Sequence, residues 1–155
     1  MSSISLWRGL MNKENSFEFL EHTADAYVAA YGENLAEAFE HAAYATFEVM
    51  TDVSKVDPEF EDHVEVEATD EYALLYSWLE ALLIKFDVNE VLYSKFKVFE
   101  IGKFREGYAL KAKIWGEKFN PKKHAQRVGV KAITYHRMEI IKNDGQVTLK
   151  FILDI

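Results

Sequence analysis

The 155-residue sequence predicts a single α+β domain in which two amphipathic helices pack on a mixed, largely antiparallel sheet. Two segments repeat apolar residues at helical spacing, and several shorter segments alternate apolar and polar residues with the period of a strand. The last strands follow one another through short turns, which favours antiparallel neighbours. A hydrophobic content of 49% is enough for one core at this length.

The N-terminal segment, residues 1–16, shows no periodicity, so we expect a loose tail followed by one domain at 17–155. Residues 17–20 and 25–31 read as strands or as one broken strand. In the second of these, the period of two places Asp25, Tyr27, Ala29 and Tyr31 on one face.

The first helix is predicted over residues 35–50, because Asn34 and Glu37 form a capping box in front of an amphipathic pattern. After it, an acidic stretch contains the alternating strand 64–68. The second helix is predicted to begin after a cap at Thr69 or Asp70 and to end near Phe86. Its apolar stripe is the wider of the two, which indicates a central position on the sheet.

The remaining sequence predicts strands joined by turns. The strand-like segments are 94–101, 108–115, 130–135, 137–141 and 147–155. Residues 116–129 read as a long polar loop, and Asn143-Asp144-Gly145 reads as a hairpin turn, because Asp-Gly suits positive φ.

Composition excludes several classes of protein. The net charge of −8 argues against non-specific nucleic-acid binding, and the lack of cysteine excludes disulfides, thiolate metal sites and a cysteine nucleophile. No apolar run reaches the roughly 20 residues of a membrane span, and the N-terminus does not resemble a signal peptide. We therefore expect a soluble cytoplasmic protein with no membrane partner.

Acidic residues near both ends of the domain are candidate metal ligands. Asp25 stands at a loop-to-strand junction, and Asp154 ends the last strand beside Ile155, whose α-carboxylate is expected to be free. Carboxylate and carbonyl oxygens suit hard divalent cations. The structural alternative is that Asp25 caps a turn and Asp154 is a solvated terminal residue. His22 is either a support for this site or a buried histidine bonded to the backbone.

A basic segment interrupts the acidic chain. It holds a single acid, Glu117, and seven cationic residues: Lys111, Lys113, Lys118, Lys122, Lys123, Arg127 and Lys131. It could meet phosphates or an acidic partner, or it could be a solvated loop. Lys131 is the strongest candidate for a contact, because it lies within the strand-like segment 130–135.

Several catalytic motifs are missing. The sequence has no Gly-rich phosphate loop, no Gly-x-Ser-x-Gly elbow and no paired metal-binding histidines at helical spacing. The five histidines do not cluster. A self-sufficient enzyme would usually show more of these motifs.

Four segments, in this order and at this chain length, resemble the archease family. They are Glu21-His22-Thr23-Ala24-Asp25 with Gly32 and the capped helix, Phe47-Glu48-Val49-Met50-Thr51-Asp52, Trp115-Gly116-Glu117 with His124 and Val130-Lys131-Ala132-Ile133-Thr134-Tyr135-His136, and Leu153-Asp154-Ile155. The resemblance covers residues 17–155.

The resemblance implies an activator of the GTP-dependent RNA-splicing ligase, which joins RNA ends in tRNA splicing and RNA repair. Archeases accelerate guanylylation of that ligase and support its multiple turnover. The family's metal-binding acids correspond to Asp25 and Asp154, its functional lysine to Lys131, and its metal to calcium. The partner would be the ligase, with RNA contacted only indirectly.

Two functions from other classes remain open on the residues alone. One is a small metal-dependent phosphohydrolase built on the same acids. The other is a chaperone-like module that keeps partner proteins from aggregating.

Overall fold

The computed structural model describes residues 16–22 and 25–155. For Glu21 and His22 it describes the main chain only. The predicted tail therefore lies outside the described residues apart from Ser16. The strands are β1 (Phe17–His22), β2 (Asp25–Gly32), β3 (Phe60–Ala68), β4 (Val91–Phe104), β5 (Gly107–Lys118), β6 (Ala132–Asn143) and β7 (Gln146–Asp154). The helices are α1 (Leu35–Met50) and α2 (Glu71–Asn89), with a short 3-10 helix at Val53–Lys55 between α1 and β3.

The strands form two sheets rather than the one mixed sheet that the sequence predicts, while the α+β class is confirmed. One sheet has the order β1-β2-β7-β6 and the other β3-β5-β4, and the described pairings are antiparallel. The helices link the two sheets: α1 packs on β2 and β4, and α2 packs on β6 and β3. One continuous apolar core therefore lies between both sheets and both helices.

Helix α1 has the predicted bounds and cap. The Asn34 side chain accepts a hydrogen bond from the main-chain N–H of Glu37 at 2.8 Å. The Glu37 carboxylate reaches back one residue further than a capping box requires, to the N–H of Glu33 at 2.9 Å. The first bond satisfies a donor that the first helical turn leaves unpaired, and the second ties the turn to the residue before the cap.

Helix α2 begins after Asp70, as predicted, and its side chain accepts from the N–H of Ala73. It ends at Asn89 instead of near Phe86, because the last residues contain no glycine or proline to stop it. Glu90 closes it in a left-handed conformation with φ 55°. The fully buried Trp78 donates its Nε1–H to the carbonyl of Phe39 and so ties α2 to α1.

Strands β4 and β5 are longer than predicted, β7 has the predicted length with bounds shifted by one residue, and two predicted segments merge into one strand. Residues 132–135 and 137–141 of the two predicted segments belong to a single strand, β6, which is interrupted by a large bulge. The hairpin turn to β7 is confirmed, with φ of 36° at Asp144 and 76° at Gly145. Within the described residues, neither helix is long and apolar enough to cross a membrane.

Candidate functional site

Asp25 and Asp154 are direct partners in the antiparallel pairing of β2 with β7. Their neighbours Ala26 and Leu153 are fully buried in the core. Because side chains alternate along a strand, the two carboxylates share the opposite, outward face. Cross-strand partners have Cβ atoms about 5 Å apart, so the two predicted acids are neighbours on this face.

Lys131 joins this site through its main chain. Its N–H donates to the carbonyl oxygen of Asp154 at 2.7 Å, and the following residue, Ala132, pairs with Asp154 at the start of β6. The sequence predicts that Lys131 lies inside a strand, whereas it lies one residue before the start of β6. Its side chain is exposed. The structure therefore brings the two acids together and places the main chain of Lys131 beside Asp154 at the end of one sheet.

The oxygen ligands at this site suit a hard cation, but they are few. Among the side chains that the structure describes, which do not include those of Glu21 and His22, no group of three or more His, Cys, Asp or Glu is placed to hold a metal. The described side chains at the site contribute two carboxylates, those of Asp25 and Asp154. Oxygen ligands of this kind suit Ca²⁺. The main chain of His22 pairs with Ala26, and its predicted supporting role lies outside the described side chains.

The basic segment is not one continuous patch. Lys111 lies between Glu65 and Glu100 on the three-stranded sheet, at 3.8 Å and 3.4 Å. Lys123 and Arg127 lie in the loop after β5. Lys123 pairs with Asp57 and with Glu117 of the same segment, and Arg127 pairs with Glu48 of α1. Three of the seven predicted cationic residues are therefore paired with acids.

A buried cluster that the sequence did not predict fastens the start of this loop. The Oε1 atom of Glu117 accepts three bonds: from the N–H of Asp57 at 3.0 Å, from His124 Nε2 at 2.8 Å and from Lys123 Nζ at 2.7 Å. The N–H of Asn120 donates to His124 Nδ1 at 2.9 Å, so Nδ1 must be an acceptor and Nε2 the donor. Glu117 and His124 are both buried.

The carboxyl group of Glu117 is held in its charged form. Burial favours the neutral acid, but the hydrogen bonds from Lys123, the Asp57 N–H and His124 outweigh it and lower the pKa of Glu117 to about 2. The only available signal in the sequence was a single acid within a basic segment, with a histidine seven residues later.

The middle of the loop is fixed against the end of α1. The N–H of Arg127 donates to the carbonyl of Met50 at 2.9 Å, and its guanidinium donates to the carbonyl of Glu48 at 2.9 Å. The carboxylate of Glu48 is buried and accepts from the N–H of Val53. The loop that carries Lys131 is therefore attached at its start, middle and end.

Comparison with known protein families shows to which family this chain belongs. The model of the Archease protein family (MTH1598/TM1083) matches residues 17–155. The chain belongs to the archease family. The bounds of the match agree with those that the sequence motifs indicate.

Curated archeases are similar over nearly their whole length. The archease of Sulfolobus acidocaldarius is 50% identical over 139 residues, which cover 90% of this chain and 98% of that protein. The archease of Thermococcus kodakarensis is 48% identical over 140 residues, with the same shares covered. These names state no catalytic reaction.

Two solved structures share the fold of this archease family member. The solution structure of Methanobacterium thermoautotrophicum protein 1598 is 45% identical, has a TM-score of 0.80 and covers 90% of this chain and 99% of that one. A crystal structure from Thermotoga maritima, of an archease described as a possible chaperone, has a TM-score of 0.58 at 18% identity and covers 88% of this chain and 94% of that one. At that identity it supports the fold alone.

Proposed function

We propose that the chain is an activator of the GTP-dependent RNA-splicing ligase and is not itself an enzyme. It would accelerate guanylylation of the ligase and support its multiple turnover in tRNA splicing and RNA repair. The observation that carries the proposal is the pairing of Asp25 with Asp154 beside Lys131. These are the residues to which the archease resemblance assigns the metal site and the functional lysine.

A divalent cation between the two aspartates explains why the pair is tolerated. Like charges placed directly opposite each other on a sheet are destabilising. A cation removes that cost and gains oxygen ligands from both side chains. We propose calcium, held by Asp25, Asp154 and a main-chain oxygen of Ile155.

The role of the site would be electrostatic. A divalent cation held by Asp25 and Asp154 would supply positive charge beside a phosphate group of the ligase-bound nucleotide. Lys131 would contact the same phosphates, and its loop attachments keep its main chain at the site. Preorganised charges of this kind stabilise the negative charge that develops in a transition state.

The experiment is ligation of RNA ends by limiting ligase with GTP and Mn²⁺, with and without this chain. We expect many turnovers with the unmodified chain and a return to the ligase-alone rate with Asp25→Asn or Asp154→Asn. The matched control is Asp144→Asn, which removes a carboxylate at the other end of the same sheet, in the β6–β7 turn. Asn suits the left-handed conformation there, so the control should behave like the unmodified chain.

The competing functions give different results in parallel assays. Hydrolysis of a phosphoester by the isolated chain, lost in Asp25→Asn, would favour a phosphohydrolase. Suppression of aggregation of an unrelated protein, unchanged in Asp154→Asn, would favour a chaperone. Either result, together with no effect on the ligase, would refute the proposed function.

A further inference from the structure

Two tyrosines stack at the edge of the four-stranded sheet, where β6 meets α2. The rings of Tyr76 and Tyr135 are nearly parallel, at 8°, and their centroids lie 4.5 Å apart. Tyr135 is 53% exposed, so Tyr76 covers one face of its ring and much of the other face is open to solvent. Tyr72, one helical turn before Tyr76, is 41% exposed. Tyrosines presented in this way are typical of protein interfaces.

Two carboxylates flank the stacked rings. Asp70 caps the start of α2 with its Oδ1 atom, and Glu80 is an exposed residue one helical turn after Tyr76. Burial, the neighbouring Tyr76 and the negative charges of Asp70 and Glu80 raise the pKa of the Tyr135 phenol, so both carboxylates lie close enough to act on it. We call Tyr72, Tyr76, Tyr135, Asp70 and Glu80 the tyrosine–carboxylate patch.

The basic side chains nearby do not neutralise this patch. Lys142 is paired with Glu71 at 2.7 Å, and that pair sums to zero. The guanidinium of Arg137 lies over the ring of Tyr27, 4.4 Å from its centroid, on the opposite face of the sheet. His136 adds a positive charge only when it is protonated. Among the residues that the structure describes, neither carboxylate of the patch forms an ion pair with a Lys or Arg, so the patch keeps a negative charge.

The negative charge of the patch decides between possible occupants. RNA would bring its phosphates against the two carboxylates, although a base can stack on an open tyrosine ring. A second copy would place the same carboxylates opposite each other, because a two-fold interface is self-complementary, and each copy carries a net charge of −8. A cationic protein surface meets neither conflict, since a guanidinium or ammonium group binds both aromatic faces and carboxylates.

The patch lies near the paired aspartates, across the edge of the same sheet. Ala132 pairs with Asp154, and Tyr135 follows three residues later along β6, roughly 10 Å away. Because β6 is the last strand of its sheet, one partner can contact both the outward face that carries the aspartates and the patch on the α2 side. A standard interface of about 800 Å² per partner is wide enough for both.

We propose that the tyrosine–carboxylate patch docks a cationic surface of the GTP-dependent RNA-splicing ligase. The inference rests on the proposed function and extends it, because it assigns the face through which this chain holds the ligase. A protein that binds a nucleoside triphosphate and RNA ends carries positive charge around its active site. A cationic side chain of that surface covers the open face of Tyr135, between the carboxylates of Asp70 and Glu80.

The first test measures the dissociation constant of the chain for the ligase, without nucleotide or RNA, by isothermal titration calorimetry. Tyr135→Leu removes the aromatic face and Tyr135→Phe keeps it. The matched control is Phe99→Leu, because Phe99 is 54% exposed and lies in β4 of the other sheet. We expect Tyr135→Leu to raise the dissociation constant about fivefold or more, the effect of losing one cation–π contact. Tyr135→Phe and Phe99→Leu should bind as the unmodified chain does.

The second test removes the carboxylates singly, as Asp70→Asn and Glu80→Gln. Asparagine caps a helix about as well as aspartate, so Asp70→Asn removes the charge and keeps the start of α2. We expect each substitution to slow association with the ligase and to weaken its dependence on salt, measured by stopped-flow fluorescence. The matched control is Asp87→Asn, an exposed acid near the other end of α2, which should change both much less.

Ligase guanylylation at increasing chain concentration separates docking from the aspartate site. Tyr135→Leu should reach the full rate at saturation, because docking sets only how much chain is bound. Asp25→Asn should not reach it at any concentration.

Four results would decide against one proposal or both. Equal binding by Tyr135→Leu and Phe99→Leu, while the unmodified chain still activates the ligase, would overturn the docking surface alone. The same holds if Tyr135→Leu loses binding only to free RNA, or if it dissociates a dimer seen by sedimentation. Patch-dependent binding without activation would refute the proposed function and support the docking surface. If the unmodified chain neither binds nor activates the ligase, both fail.

Discussion

Asp25 stands directly opposite Asp154 across the β2–β7 pair, so two carboxylates from opposite ends of the sequence meet on one face of the sheet. The N–H of Lys131 is bonded to the carbonyl of that same Asp154. The strands that meet here pack on α1 and α2 through their other face. The arrangement gives the site a rigid base and leaves its charged side chains outward.

Removing one of the two carboxylates should stabilise the metal-free protein. Asp25→Asn relieves a cross-strand repulsion, so the free energy of unfolding in EDTA and low salt should rise by about 0.5 kcal/mol. With calcium at 100 times its dissociation constant, the unmodified chain should gain about 2.7 kcal/mol and the variant almost none. Urea unfolding with and without calcium measures both effects.

The control for that experiment is again Asp144→Asn, which should keep the full gain from calcium. An Asp25→Asn protein that calcium stabilises as strongly as the unmodified chain would show that the cation binds elsewhere.

Gly116 should tolerate no side chain. A Cβ atom there would lie 1.9 Å from the carbonyl oxygen of Leu92, so Gly116→Ala must separate β4 from β5 and displace the neighbouring Glu117. We expect a loss of roughly 3 kcal/mol or more, since backbone atoms cannot yield as a flexible side chain can. Thermal or urea unfolding gives the value.

Gly129→Ala is the matched control in the loop that leads to Lys131. A Cβ atom there meets nothing within 4 Å, so the substitution should leave stability unchanged or raise it by up to about 1 kcal/mol. Equal losses at the two glycines would contradict the close approach of β4 at Gly116.

The Glu117 cluster should make the loop sensitive to acid. Burial raises the pKa of Glu117, but its hydrogen bonds lower it from 4.5 to about 2. A depressed pKa means that the stabilisation is complete above about pH 4.5 and is lost as the pH falls towards 2. The stability difference between the unmodified chain and Glu117→Gln should therefore shrink over this range.

Urea unfolding between pH 7 and pH 2.5 tests this, with Glu65→Gln as the control. The Glu65 side chain is 70% exposed and lies 3.8 Å from Lys111, so its removal should cost less than about 0.5 kcal/mol. A difference for Glu117→Gln that stays constant with pH would refute the assigned role of its charge.

The side chain of Lys131 should matter for activation and not for folding. Lys131→Gln keeps the main-chain bond to Asp154, so stability should change by less than about 0.5 kcal/mol. Guanylylation of the ligase should slow by about tenfold or more, because a charge aimed at the phosphates is lost. Rapid-quench kinetics measures the rate.

Lys122→Gln is the matched control, because Lys122 lies in the same loop, is exposed and also donates its N–H, to the side chain of Asn120 at 2.9 Å. Equal slowing by both substitutions would indicate a general effect of loop charge instead of a contact at the site.

Local features of the fold could be predicted because their causes are local. The caps at Asn34 and Asp70 and the Asp144-Gly145 turn depend on residues within four positions of one another. The bounds of α1 follow from its cap and its apolar face. The predicted end of α2 near Phe86 is too early, because polar residues do not end a helix unless a glycine or proline follows them.

Long-range features could not be predicted from pattern alone. The division into two sheets and the pairing of β2 with β7 depend on how both helices pack, which no single segment encodes. Asp25 and Asp154 were recognised as candidate ligands, but their direct opposition is a matter of register. The Glu117 cluster and the stacking of Arg137 on Tyr27 join residues from separate elements, so neither has a local signature.

The central claim is that the paired aspartates enable activation of the ligase. The most direct measurement is the single-turnover rate of ligase guanylylation with GTP and Mn²⁺, with no added chain, with the unmodified chain, and with Asp25→Asn, Asp154→Asn or Asp144→Asn. The account predicts acceleration by the unmodified chain and by Asp144→Asn, and none by the two site variants. Acceleration by Asp25→Asn equal to that of the unmodified chain would contradict it.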